Sequence, residues 1–328
     1  MMQYHIPDQT WGAVGIEDYS VYLEHYVIKG LFHKAVPKDV VDSYKVAEYI
    51  MAHSYFHYPL YNEAFSKLLR TIEMAVKQRF EQLDIPIKTR KETANSKNTL
   101  PLKSLIKYIE QKEPAKELGS VLHILRELRN LYMHPETFTY GGLIFKKPII
   151  RTINVLNPLF LPERVFVEIK KQVKSLENKL LSLATGTLVM EYDNQVFPVE
   201  MIKIIDAVAL DSKWIYCCSI IPPAEIIILK VNEHGYSNPY LFTLNILDVS
   251  KRGLSANEVD SKKELKISQT DDIQIKEFLR IKLETYKRSD ELLVQNHTFF
   301  QDIEIREYHQ LFLYNYLYKI KAEDYGIQ

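Results

Sequence analysis

Arg129 and His134 stand five residues apart in the run RELRNLYMHPE, and no other pair in the chain has types and spacing that suggest chemistry so directly. A histidine titrates near neutrality, so it can take a proton from a hydroxyl or return one to a leaving oxygen. An arginine stays charged and presents a fixed fork of N–H donors that can hold phosphoryl oxygens as negative charge builds on them. Together they suit cleavage of an RNA phosphodiester without a metal. The histidine deprotonates the ribose 2′-hydroxyl or protonates the departing 5′-oxygen, while the arginine steadies the phosphorus centre. Asn130, beside the arginine, can orient the histidine or a phosphate. One such set supplies a single acid–base group, so two copies facing each other across a symmetric dimer complete the arrangement.

The helix that must position these residues reads as 118–133. On a wheel of about 100° per residue, Val121, Leu122, Leu125, Leu128 and Tyr132 share one apolar arc with Leu118, and Ile124 and Leu131 extend it. Arg129 falls about 20° from Leu118, inside that arc. A guanidinium is almost never fully buried unless something pairs with it, so this position calls for a carboxylate, a carbonyl cluster or a phosphate. Arg126, Asn130, His123, His134 and Glu127 form a polar stripe beside it. Pro135 disfavours the α conformation for the residue before it, so His134 leaves the helix and its ring can swing toward Arg129. A purely structural reading of the same residues pairs Arg129 with Glu73 of the preceding helix and leaves His134 to the negative end of the helix dipole.

Arg129-Asn130, three intervening residues and His134, on a helix with a long helix before it and another after it, resemble the signature of the HEPN superfamily (higher eukaryotes and prokaryotes nucleotide-binding). The resemblance covers roughly residues 15–184. It implies an all-helical bundle, often dimeric, that in many members is a metal-independent endoribonuclease of toxin, antiphage or RNA-processing systems. In others the bundle is a non-catalytic dimerisation or nucleotide-binding module. Carried over residue by residue, Arg129 and His134 are catalytic and Asn130 is the polar residue after the arginine. The partners implied are RNA, a second copy of the chain and, in a toxin setting, an antitoxin or other regulatory protein. No metal and no cofactor is expected.

The rest of the chain supports a two-domain layout. With 328 residues, 46% hydrophobic and 26% charged, it exceeds what one core serves efficiently and is too apolar for extended disorder. Helical spacing marks 16–32, 40–52, 61–83, 102–111 and 162–183, enough for an up-and-down bundle over residues 1–184. The polar stretch 84–101 carries Lys88, Arg90, Lys91 and Lys97, the expected RNA-binding residues together with Arg126. From 185 to 328 the pattern changes to an α+β domain. Strands are expected at 187–192, 214–221, 224–231 and 240–249, a loop at 250–263, and helices at 272–286 and about 304–321. Cys217 and Cys218 are adjacent on a strand, point to opposite faces, and read as packing residues.

Charge separates the two parts although the net is zero. Residues 61–180 hold 22 Lys plus Arg against 13 Asp plus Glu, a balance of +9, whereas 186–328 hold 16 against 22, a balance of −6. A mildly basic half suits a polyanion, and an acidic half could cover it until a trigger arrives. The N-terminus MMQYHIPDQT has neither the basic start nor the apolar run of a signal peptide, so a cytoplasmic protein with no membrane partner is expected. His53 and His57 have the spacing of a metal pair, but no nearby acid or cysteine completes a site. Two other functions fit the sequence: a binding module built on the same bundle, and a hydrolase or ligand sensor whose site lies in the C-terminal sheet.

Overall fold

The computed structural model describes residues 5–83, 100–112, 114–133, 142–223, 238–288 and 291–325. An N-terminal all-α region is followed by an α+β domain. The helices are α1 (Gln9–Ala13), α2 (Tyr19–Tyr26), α3 (Lys38–His53), α4 (Leu60–Gln82), α5 (Leu102–Ile109), α6 (Ala115–Met133), α7 (Lys146–Leu159) and α8 (Glu163–Leu183). Trp11 anchors the first of them. It is fully buried, donates from Nε1 to the Ser54 carbonyl at 2.8 Å, and packs against the rings of Tyr22, Tyr26, Tyr58 and Tyr61.

The helix expected over 16–32 is shorter. It starts where Asp18 caps the amides of Ser20 and Val21, and it ends where Val27 turns extended. Beyond Val27 the carbonyls go to side chains of other helices instead of to the next turn: Ile28 accepts from Tyr44, and Leu31 from Asn157. His33 is buried, and its ring Nε2 lies 2.8 Å from the Asn157 carbonyl oxygen. Burial pulls the imidazole pKa of His33 below the ordinary histidine range. Asn157 sits on α7, a helix that the sequence reading did not separate because Pro148 and Pro158 punctuate it.

The C-terminal domain holds seven antiparallel strands: β1 (Leu188–Tyr192), β2 (Gln195–Val199), β3 (Met201–Leu210), β4 (Lys213–Ile221), β5 (Tyr240–Val249), β6 (Gly253–Glu258) and β7 (Glu264–Gln269), followed by α9 (Ile273–Arg288) and α10 (Glu291–Tyr316). Asp193 and Asn194 join β1 to β2, and Asp211 and Ser212 join β3 to β4, all four with positive φ. Such turns suit the right-handed twist of a hairpin. The sheet order is β2-β1-β7-β6-β5-β4-β3, so the two edge strands are consecutive in the chain with only Glu200 between them. Residues two apart lie within about 7 Å of each other, and the sheet must therefore curl until its edges meet at that residue. The interior of the curl is one apolar cluster that includes Met190, Val199, Cys218, Phe242, Leu254 and Ile267, joined by Leu176, Leu180 and Leu183 of α8.

Several expectations are corrected here. The stretch 250–263, expected as a loop, contains β6, a polar strand in which Leu254 and Ala256 are buried and alternate with Ser255 and Asn257. β2, β3 and β7 are also additional to the expected strands. The strand expected at 224–231 lies outside the described residues. α10 begins at Glu291, earlier than expected, and ends at Tyr316. Within α8, at Phe166/Val167, the chain divides into two compact units.

α10 covers the other side of the sheet through polar contacts: His309 Nε2 to Asp206 Oδ2 at 2.8 Å, Tyr308 Oη to Thr243 Oγ1 at 2.9 Å, and Tyr316 Oη donating to Asp260 at 2.9 Å. Cys217 lies between Asp206 and Thr243 in the ladder, while Cys218 belongs to the interior. Both thiols are free and buried, and burial raises the pKa of each, which makes them inert packing residues. Ser219 is fully buried, and its hydroxyl has no hydrogen-bond partner among the described residues. Removing an unsatisfied buried hydroxyl recovers its desolvation cost, so Ser219→Ala is expected to stabilise the fold by about 1 kcal/mol in thermal or urea denaturation. Among the described residues no helix is long and apolar enough to cross a membrane.

Candidate functional site

The site is built on α4 and α6, which pack together. Phe65 of α4 meets Tyr132 of α6 edge-on at 5.6 Å, and both rings contact Phe145. Leu122 and Leu125 carry the buried face of α6. Arg129, one turn beyond Leu125, continues that face and meets α4 at Glu73, with Nη2 2.7 Å from Oε2. The arginine and glutamate side chains keep only 27% and 19% of their exposure. The wheel position of Arg129 thus corresponds to its place in the fold, and the carboxylate named by the structural reading is its partner.

Glu73 also receives Lys77 at 2.8 Å, one turn along α4. Burial alone would raise the carboxyl pKa of Glu73, but Lys77 and Arg129 together hold it below the ordinary glutamate value. A carboxylate with a depressed pKa contributes stability that is complete above the unfolded value of about 4.5 and is lost as pH falls through the lower folded value. Wild-type stability is therefore expected to show an acid-side loss below about pH 4.5. Glu73→Gln should remove that component, as read by denaturation midpoints against pH.

The Arg129 guanidinium is not fully used by this pair. Nη1 lies 3.3 Å from Asn130 Oδ1, a long contact, and Nε is buried with no hydrogen-bond partner among the described residues. A buried N–H without an acceptor costs free energy, and a second anion at the guanidinium would relieve it. Arg126 behaves similarly. Its side chain is largely buried, Nη2 is paired with Glu127, and Nε has no hydrogen-bond partner among the described residues. Asn130 is exposed. His123, on the polar stripe of α6, lies 3.5 Å from Glu110, the residue that caps the C-terminus of α5.

Ile124 and Leu131 are a correction. The wheel assigned them to the buried arc, but they are 60% and 58% exposed. α6 is covered by α4, α5 and α7, which leaves the flank bearing these two residues open. With Val121 and Leu128 they repeat at steps of three and four, the spacing of a helix–helix seam.

His134, Pro135, Lys88, Arg90, Lys91 and Lys97 lie outside the described residues, so the geometry joins Arg129, Arg126 and Asn130 only. The chain is described again from Gly142, whose N–H donates to Asn62 Oδ1 of α4 at 2.9 Å. Its φ of +46 and its contact with Tyr58 explain why the turn there needs glycine. The Gly141-Gly142 pair was a visible turn signal; its anchor on α4 was not. Among the described residues no group of three or more His, Cys, Asp or Glu could hold a metal ion, and His53 instead packs on the rings of Tyr49 and Phe56.

No family model, curated protein or solved structure matches this chain. Its function must be argued from the chemistry of its own residues.

Proposed function

We propose that the N-terminal helical region is a HEPN-like, metal-independent endoribonuclease in which Arg129 and His134 act on the RNA phosphodiester. The observation that carries this reading is the Arg129 guanidinium: held in the buried face of α6, oriented by Glu73, with an Nε–H that no group among the described residues accepts. The 2′-oxygen attacks phosphorus as a His134 imidazole removes its proton, and the P–O5′ bond breaks. The second copy's imidazole protonates the leaving oxygen, giving a 2′,3′-cyclic phosphate and a 5′-hydroxyl. Arg129 neutralises the charge on the phosphoryl oxygens, and Asn130 orients its neighbour. The exposed Ile124 and Leu131 supply an apolar flank for a homodimer. Lys88, Arg90, Lys91, Lys97 and Arg126 contribute positive charge toward RNA. A toxin or antiphage setting, with a regulatory partner for the acidic domain, accords with such an activity. The test is cleavage of total RNA in EDTA by the purified protein and by its Arg129→Ala and His134→Ala variants.

A second reading is favoured by the 2.7 Å Arg129–Glu73 pair itself. In that reading the bundle is a non-catalytic dimerisation and RNA-binding module, and Arg129 is a structural ion-pair partner. RNA binding without cleavage under every condition would favour it.

A further inference from the structure

Arg126 and Arg129 both belong to α6. Three residues apart, they leave the helix about 60° from each other and within one turn, so their side chains are neighbours. Both are drawn in toward the bundle, the Arg126 side chain to 14% exposure and that of Arg129 to 27%. Two cations so placed repel each other and lose water, and the fold offsets this unequally. Arg129 is fixed by Glu73, itself mostly buried and shared with Lys77 of α4. Among the described residues the ion pair of Arg126 is with Glu127, its neighbour in the chain, which is 66% exposed. Consecutive residues on a helix point about 100° apart, so Arg126 reaches sideways for this carboxylate, and so exposed a pair contributes little.

Three cations, Lys77, Arg126 and Arg129, thus stand with two carboxylates, Glu73 and Glu127. The surplus is positive, and the carboxylate most easily displaced is the one at Arg126. Phosphate suits the place that Glu127 would vacate, because a guanidinium offers it parallel N–H donors. Side chains one helical turn apart are also spaced much as neighbouring phosphates are along an RNA strand. Arg129 is then the fixed half of a pair of phosphate ligands, and Arg126 is the half that exchanges a carboxylate for a phosphate.

We propose that Arg126 holds the phosphate next to the one at Arg129, so that the site takes RNA with two consecutive phosphates and engages a lone phosphodiester poorly. This rests on the reading of Arg129 as a phosphate ligand, and it names the substrate as an internal stretch of strand instead of a dinucleotide. The probes are 2′-O-methyl uridine oligonucleotides without terminal phosphates, a dinucleotide with one phosphate and a trinucleotide with two. Neither has the attacking hydroxyl, so binding is read without cleavage. They are titrated calorimetrically into the full chain at physiological salt, where exposed charges more than about 8 Å apart are largely screened. The trinucleotide is expected to bind at least about tenfold tighter, well beyond the statistical doubling that a second phosphate brings by itself. Arg126→Gln should shrink the gap to that doubling. Glu127→Gln, which removes the competing carboxylate, should widen it, and Lys45→Gln, at an exposed lysine of α3, should leave it as it is. No binding of either probe, no gap beyond the doubling in the wild type, a gap that survives Arg126→Gln, or one that Glu127→Gln fails to widen would each overturn the proposal. The wild-type comparison needs no variant and Glu127 is exposed, so a misfolded Arg126→Gln would not rescue it. Cleavage is scored separately. A chain that shows the gap and cuts no RNA would sink the ribonuclease reading and leave the phosphate pair standing, and a chain that cuts RNA without the gap would do the reverse.

Discussion

Total RNA incubated with the purified protein in EDTA is expected to be cut, and either His134→Ala or Arg129→Ala to slow the cutting by roughly 100- to 10,000-fold. The histidine loss removes the group that moves protons. The arginine loss removes the charge that stabilises the phosphoryl oxygens, and it also strips Glu73 of one of its two cations. A fall in activity with Arg129→Ala alone would therefore be ambiguous, and Glu73→Gln separates the causes. If Arg129 serves only to pair with Glu73, both substitutions should lower stability alike and leave RNA intact or equally cut. If Arg129 contacts phosphate, Glu73→Gln should weaken cleavage only modestly, by about tenfold or less, because the guanidinium survives and loses only its orienting partner. The ends produced are diagnostic as well. Attack by the 2′-hydroxyl leaves 2′,3′-cyclic phosphates, whereas 3′-hydroxyl products would exclude His134 as the base for that attack.

Gly142→Ala is expected to destabilise the helical region by about 3 kcal/mol or more. Two costs add at this residue. Its φ of +46 is one that L side chains rarely adopt, and a Cβ built there would sit 1.9 Å from Tyr58 Oη and 2.2 Å from two ring carbons. The ring cannot swing aside cheaply, because Tyr58 is buried and packs against Trp11 at 4.8 Å. The turn itself is tied to α4 through Asn62. Chemical denaturation of Gly142→Ala should show a lower midpoint, and a value within about 0.5 kcal/mol of wild type would mean the turn relaxes in a way this packing forbids.

The balance between sequence and fold differs from element to element. α3, α4, α6 and α8 were legible because each repeats apolar residues every three or four positions over several turns, a pattern that only a helix face satisfies. β1, β4 and β5 were legible from their β-branched and aromatic runs. β6 was not, since Ser255, Asn257 and Glu258 read as a loop until neighbouring strands supply the backbone partners that make a polar strand stable. The C-terminal part of the 16–32 pattern failed for the converse reason. Helical spacing was present, but Tyr44 and Asn157, distant in sequence, bind the carbonyls that a continuing helix would need.

At the candidate site the sequence by itself determined that Arg129 lies on the inward line of its helix, because a helix wheel depends on local geometry alone. It also offered Glu73 as a partner without being able to choose it. Only the tertiary structure decided that choice, by setting α4 against α6 so that the two charges lie 2.7 Å apart. It likewise decided that Ile124 and Leu131 face outward. Spacing identifies which residues share a face; which face is covered depends on helices and strands far away in the chain, and that is a property of packing.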